Sequence, residues 1–157
     1  DLHEAIQAAG PGTGGHLYAF KQPGRTNLFV QPASDEPEAG ALLAELCPLE
    51  AFFSNPQNRE CEYVYDLSEG WRHTVRLERR VKDRARFARR LLAGARAFPK
   101  DDMEGVRGYR ECVSIHGAGQ GETARERNLL RWLRGWDPDL FDLEIAKEIF
   151  DRPRKRM

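Results

Sequence analysis

Glu62-Tyr63-Val64-Tyr65-Asp66-Leu67-Ser68-Glu69-Gly70-Trp71-Arg72-His73-Thr74-Val75-Arg76-Leu77-Glu78 is the stretch on which the fold turns. Strand formers fill its first five positions, Leu67-Ser68-Glu69-Gly70 breaks the run, and apolar and polar residues alternate strictly from Trp71 to Glu78. Two such segments around a polar, glycine-ended break fold back on each other as a β-hairpin. A period of two places Trp71, His73, Val75 and Leu77 on one face, expected to be core, and Arg72, Thr74, Arg76 and Glu78 on the other, expected to be wet. His73 therefore stands beside Trp71 on the apolar face. A histidine there is more often a hydrogen-bonded core or rim residue than a base, since proton transfer needs a positioned partner.

Upstream of the hairpin, Leu2, Ile6 and Ala9 recur at helical spacing until Gly10-Pro11-Gly12 stops them. His16–Phe20 alternates and reads as a strand closed by Gln22-Pro23-Gly24, and Leu28-Phe29-Val30 as a second. Residues 32–40 are polar and proline-broken, a loop before Leu42–Leu46 and a short helix near Pro48–Phe53.

Downstream, Val81, Ala85, Ala88 and Leu92 share a helical face and predict a basic amphipathic helix ending near Gly94. Residues 98–108 lack periodicity and predict a loop into a helix around Tyr109–Ile115, with a break at Gly117–Gly121. A helix from Glu122 to Arg134, a turn at Trp136-Asp137-Pro138-Asp139 and a last helix over Leu143–Phe150 capped by Asp142 follow, and the tail Arg152–Arg156 is expected to fray. Together these predict one α+β domain over 1–157: a largely antiparallel sheet holding 16–20, 61–66 and 71–79, with a central β-hairpin, packed against helices from both ends of the chain.

A chain of 157 residues is long enough for one self-sufficient core, and no apolar run approaches the roughly 20 residues of a membrane span. Cys47, Cys61 and Cys112 are scattered and odd in number, which argues against a disulfide framework or a thiolate metal knuckle and for a reducing, cytoplasmic setting. The chain opens without an initiator methionine on Asp1-Leu2-His3-Glu4, which reads as helix, so a trimmed sequence is expected. Zero net charge hides a polarity: residues 1–78 carry 12 acidic and 5 basic side chains, residues 79–157 carry 13 and 20. Between Arg79 and Lys100 nine basic residues, among them Arg79, Arg80, Arg84, Arg86, Arg89 and Arg90, face Asp83 alone. Such a run is either a solvated face or a surface that contacts phosphates.

Tyr63-Val64-Tyr65-Asp66-Leu67-Ser68-Glu69-Gly70-Trp71-Arg72-His73 closely resembles the Tyr-x-Tyr-Asp-Phe-Gly-Asp-Gly-Trp-x-His signature of the Ri-plasmid ORF-three-like family, which includes the passenger protein of a bacterial insertion element. Asp1–Ala9 resembles that family's early helix, His16–Phe20 its next strand, Gly105-Val106-Arg107-Gly108-Tyr109 its Gly-Tyr turn, and Trp132 through Leu143 its closing pattern. The resemblance implies this family's fold without its first N-terminal strand, a role without established biochemical activity, and a largely looped course over residues 84–98. Where family members carry two cysteines before the Gly-Tyr turn, this chain has Phe98 and Met103, so any thiolate site is lost. Leu67-Ser68-Glu69 keeps an acid at position 69 but removes a turn glycine.

No complete catalytic constellation stands in the sequence. Gly10–Gly15 satisfies GxGxxG, but it follows a helix and precedes a strand, the reverse of a dinucleotide turn. Gly117–Gly121 lacks the Gly-Lys-Ser/Thr of a phosphate loop, and Ser114 and His116 have no placed acid. The candidate cluster is Asp66, Glu69, Trp71, His73, Asp101, Asp102 and Tyr109, loop-borne acids and aromatics. It predicts a non-catalytic recognition module with a protein or nucleic acid partner, no cofactor and no metal. Two alternatives stand beside it. In one, Asp66, Glu69, Asp101 and Asp102 surround a cation such as Mg²⁺ in a hydrolase or nuclease with His73 as base. In the other, the Arg79–Lys100 stretch grips nucleic acid backbone without reading bases.

Overall fold

The computed structural model describes residues 2–10, 15–22, 29–32, 40–81 and 87–153. The class is α+β, and the chain divides into two compact units, Gly15–Asp83 and the pair of segments Asp1–Gly14 and Arg84–Met157.

The first of these is a five-stranded mixed sheet. Strands β1 (Tyr18–Lys21), β2 (Phe29–Gln31), β3 (Leu42–Leu43), β4 (Glu60–Tyr65) and β5 (Trp71–Arg76) lie in the order β3-β2-β1-β4-β5. All neighbours are antiparallel except β2 and β3. A one-turn 3₁₀ helix (Ala44–Leu46) and α2 (Leu49–Phe52) join β3 to β4; α1 (Leu2–Ala9) belongs to the other unit. The hairpin register pairs Tyr65 with Trp71, Tyr63 with His73 and Cys61 with Val75, and Tyr18 and Phe20 of β1 lie opposite Tyr65 and Tyr63. One face thus carries an aromatic row: the Phe20 ring sits 4.9 Å from Tyr63, which stacks 6.4 Å from Tyr65, and Phe52 closes edge-on against Phe20 at 6.3 Å. Such ring pairs add about 0.5–1.5 kcal/mol beyond the area they bury. Buried Gln22 is satisfied by donating from Nε2 to the Phe52 carbonyl at 2.6 Å, which ties β1 to α2.

The alternation along β5 has the expected parity, with Arg72, Thr74 and Arg76 exposed. Trp71, His73, Val75 and Leu77, however, are half-buried rather than buried. β5 is the outermost strand of the described sheet, with no described strand paired to its outer edge, and the full burial falls instead on Cys61, Tyr63 and Tyr65 of β4. The first strand begins two residues later than alternation predicts and runs to Lys21, and β5 ends at Arg76 rather than at residue 79.

The second unit holds α1 (Leu2–Ala9), β6 (Phe87–Arg89), α3 (Gly105–Ala118), α4 (Ala124–Trp132), α5 (Leu143–Phe150) and β7 (Arg152–Pro153). Its core comprises Met103, Cys112, Ile115, Leu133 and Trp136. The Trp136 indole donates to the Phe98 carbonyl at 2.9 Å and meets Tyr109 and His116 edge-on. α5 has the predicted bounds, and Asp142 caps it by accepting from the Glu144 and Ile145 N–H groups.

The helix predicted over Val81–Leu92 is corrected. Residues 82–86 lie outside the described ones, Phe87–Arg89 is a strand paired with Arg152–Pro153, and 90–100 runs without regular structure, as the family resemblance implied. Arg89 donates to the Phe150 carbonyl and lies over the Phe150 ring, and the Leu91 N–H donates to Asp151 at 2.7 Å. Contacts to residues sixty positions away override a weak local periodicity. They also order Arg152–Pro153, expected to fray; residues 154–157 lie outside the described set. The loop predicted over 98–108 ends early, since α3 already starts at Gly105 and runs through Gly117 to a left-handed C-cap at Gly119. α4 starts two residues later than the predicted Glu122 because Thr123 and Glu126 form a capping box that fixes its start, and it ends at Trp132 rather than Arg134.

Candidate functional site

The hairpin tip gathers Asp66, Glu69 and Trp71. Asp66 takes a left-handed φ of 51° and Gly70 one of 68°, and the Gly70 N–H donates to the Asp66 carbonyl at 2.6 Å, which reverses the chain. An aspartate tolerates that φ because its side chain bonds the local backbone, and glycine takes it freely. Oδ1 of Asp66 accepts from the Ser68 N–H at 3.1 Å, the Ser68 hydroxyl at 2.5 Å and the Glu69 N–H at 3.2 Å. Its other oxygen lies 3.5 Å from Nδ1 of His16, whose ring meets Tyr65 edge-on at 5.7 Å. Burial alone pushes the Asp66 carboxyl up. The Ser68 hydroxyl, the Glu69 and Ser68 N–H groups and nearby His16 outweigh it and hold the carboxyl below its usual range. Glu69 accepts from the Trp71 indole at 2.7 Å.

His73 sits two places along β5 with its ring 5.6 Å from Tyr63. Burial lowers its pKa, and hydrogen bonds to the Tyr63 and Trp71 backbone offset only part of that. His16, not singled out for chemistry in the sequence, is thus the histidine beside the Asp66 carboxylate. Its signal was the strand pairing that sets Tyr18 opposite Tyr65, which carries His16 to the tip end of the sheet.

Asp101, Asp102 and Tyr109 belong to the helical unit. Asp102 has a φ of 63° and precedes buried Met103, and Tyr109 is half-buried against Trp136. Among the described residues no three His, Cys, Asp or Glu side chains gather as a metal ion would need. Burial raises the Cys47 and Cys112 thiols and pushes Cys61 up to about 11.

The basic stretch is divided between the units. Arg79 and Arg90 are exposed, whereas Arg80 donates to the Phe53 carbonyl at 2.8 Å and Arg89 to Phe150. Arg84 and Arg86 lie outside the described residues. Arg80 and Arg89 therefore tie loops to their own units rather than lining one helix face. Elsewhere on the hairpin, Arg72 pairs with Glu62 and Arg76 with Glu60 across the strands. No described helix is long and apolar enough to cross a membrane.

Residues 1–145 match the family model described as plasmid pRiA4b ORF-3-like protein. Over 141 residues the chain is 30% identical to an uncharacterized protein, y4hQ, of Sinorhizobium fredii, covering 88% of this chain and 69% of that one. It is also similar to the crystal structure of a protein of unknown function, MM3350, from Methanosarcina mazei Go1. That likeness has a TM-score of 0.71 at 27% identity and covers 92% of this chain and 80% of the other.

Proposed function

Given that the chain belongs to the plasmid pRiA4b ORF-3-like family, we propose that it is a non-catalytic recognition module that meets its partner through the hairpin tip. The observation that carries this reading is the engagement of the Asp66 carboxylate by three donors from within its own turn. A carboxylate that acts on a substrate must offer lone pairs outward, and one oxygen of this one is occupied in shaping the loop. Glu69 likewise orients Trp71. Beside exposed Ser68 the turn presents apolar Leu67, 39% exposed, and Leu17, just before β1, is 54% exposed. Apolar side chains on a rigid, hydrogen-bonded turn suit contact with another macromolecule.

A hydrolytic reading has one observation in its favour, the approach of His16 Nδ1 to Asp66, since a carboxylate beside one ring nitrogen leaves the other to take a proton. One experiment separates the two: a hydrolysis screen of esters, phosphodiesters and nucleic acids with added divalent metal, beside thermal unfolding of His16→Ala, Asp66→Ala and His73→Ala. The module reading expects no turnover and a lowered melting temperature for Asp66→Ala. A parent activity that either histidine variant removes without loss of stability overturns it.

A further inference from the structure

The outer face of α4 carries a surplus of positive charge. Between Gly121 and Gly135 stand Arg125, Arg127, Arg131 and Arg134 against Glu122 and Glu126. Glu126 is turned into the capping box, where it accepts from the Glu122 and Thr123 N–H groups, and Arg125 pairs with Glu111 of α3. Arg127 instead donates to the Gly121 and Glu122 carbonyls, and Arg131 to Asn128 and the Arg127 carbonyl. Among the described residues, then, Arg127, Arg131 and Arg134 keep their charge without a salt-bridged carboxylate, whereas the hairpin pairs Arg72 and Arg76 each with a glutamate.

Helical geometry puts these groups outward. Leu133 is buried and Leu129 and Leu130 half-buried on the inner side, while Arg127, Arg131, Asn128 and Trp132 are all exposed. Arg127 and Arg131 lie about 6 Å apart along the axis at 1.5 Å per residue. Trp132 is 38% exposed, and Lys100 holds its ammonium 4.6 Å over its ring while donating to the Trp132 carbonyl at 2.7 Å. A cation is thereby fixed beside a helix-borne aromatic plane.

We infer that the outer face of α4, with Lys100, binds single-stranded nucleic acid: the arginines and Lys100 meet consecutive phosphates and an unpaired base stacks on Trp132. Guanidiniums without carboxylate partners at this spacing complement a polyanion. An exposed indole among them favours a strand whose base faces are open over a duplex, which hides them, and over an acidic peptide, which has none. This surface differs from the Arg79–Lys100 face expected from the sequence, sharing only Lys100, and it does not rest on the hairpin-tip reading.

The test is fluorescence anisotropy with a labelled oligothymidylate of about 20 nucleotides at about 50 mM salt, where backbone contacts are strong. Three or four phosphate contacts predict a slope of log K against log salt of about −2 to −3. Arg127→Gln with Arg131→Gln should weaken binding at least about fivefold and flatten that slope by about 1.4 units. Trp132→Leu should weaken it by about fivefold or more with the slope unchanged, since stacking releases no counterions. Arg79→Gln with Arg90→Gln should bind as the parent does. Absence of salt-dependent binding, an equally tight duplex, or parental binding by the Arg127/Arg131 variant overturns the inference. The two arginines are solvent-exposed, so that last variant stands as a test even if Trp132→Leu melts early.

Discussion

The indole N–H of Trp71 donates to Oε2 of Glu69 across 2.7 Å, two residues apart at the turn of the hairpin. The bond orients a ring that β5, as an edge strand, leaves only half-buried. Trp71→Ala should therefore cost about 2–3 kcal/mol, short of the loss at a fully buried tryptophan. Glu69→Ala should cost about 0.5–1.5 kcal/mol, and Glu69→Gln, which keeps an acceptor, less. Urea unfolding of the three variants gives the order.

At Asp66, asparagine retains an oxygen for the Ser68 and Glu69 N–H groups and tolerates the left-handed φ of 51°; alanine does neither. Asp66→Ala should cost about 2–3 kcal/mol and Asp66→Asn less than half of that. Equal losses from the two would place the stabilisation in the charge rather than in the turn geometry.

The pKa shifts fix the sign of the acid response. His73 and His3 are both held below the ordinary histidine value, chiefly by burial, so the unfolded chain binds their protons first. Their contribution is present above about pH 6.5 and is lost as pH falls through their folded values. Asp66, also lowered, adds a second loss that begins only near about pH 4. Melting temperature should decline in two steps on acidification, and His73→Phe should shrink the first without moving the second.

The hairpin and α5 were legible because each is specified locally, one by a period of two around a turn, the other by Asp142 at the cap. Residues 87–92 were not. Their structure is set by Phe150, Asp151 and Arg152, and four small apolar residues at helical spacing carry little against that. The early start of α3 was hidden because Asp102 and Glu104 take left-handed φ values and Gly105 and Gly108 are poor helix formers. Of the site, the turn was readable and the neighbour of its carboxylate was not, since His16 and Asp66 meet only through strand pairing across fifty positions. The α4 face was written in Thr123-x-x-Glu126 followed by Arg127, Arg131 and Arg134, but charge in the sequence does not say which arginines find carboxylates.

Two glycines of one helix separate packing from propensity. A Cβ on Gly108 would lie 1.8 Å from the Met103 carbonyl oxygen, a backbone atom in the strained approach to α3, so neither side can yield cheaply. A Cβ on Gly117, near the other end, meets nothing within 4 Å. Gly108→Ala should therefore destabilise by about 1–3 kcal/mol, the overpacking cost prevailing over any gain in helix propensity. Gly117→Ala should stabilise by about 0.5–1 kcal/mol through the unfolded chain's lost freedom. Denaturant midpoints at an unchanged m-value are the measurement. A stabilised Gly108→Ala would mean that the Met103 carbonyl does not pack against α3 at that position.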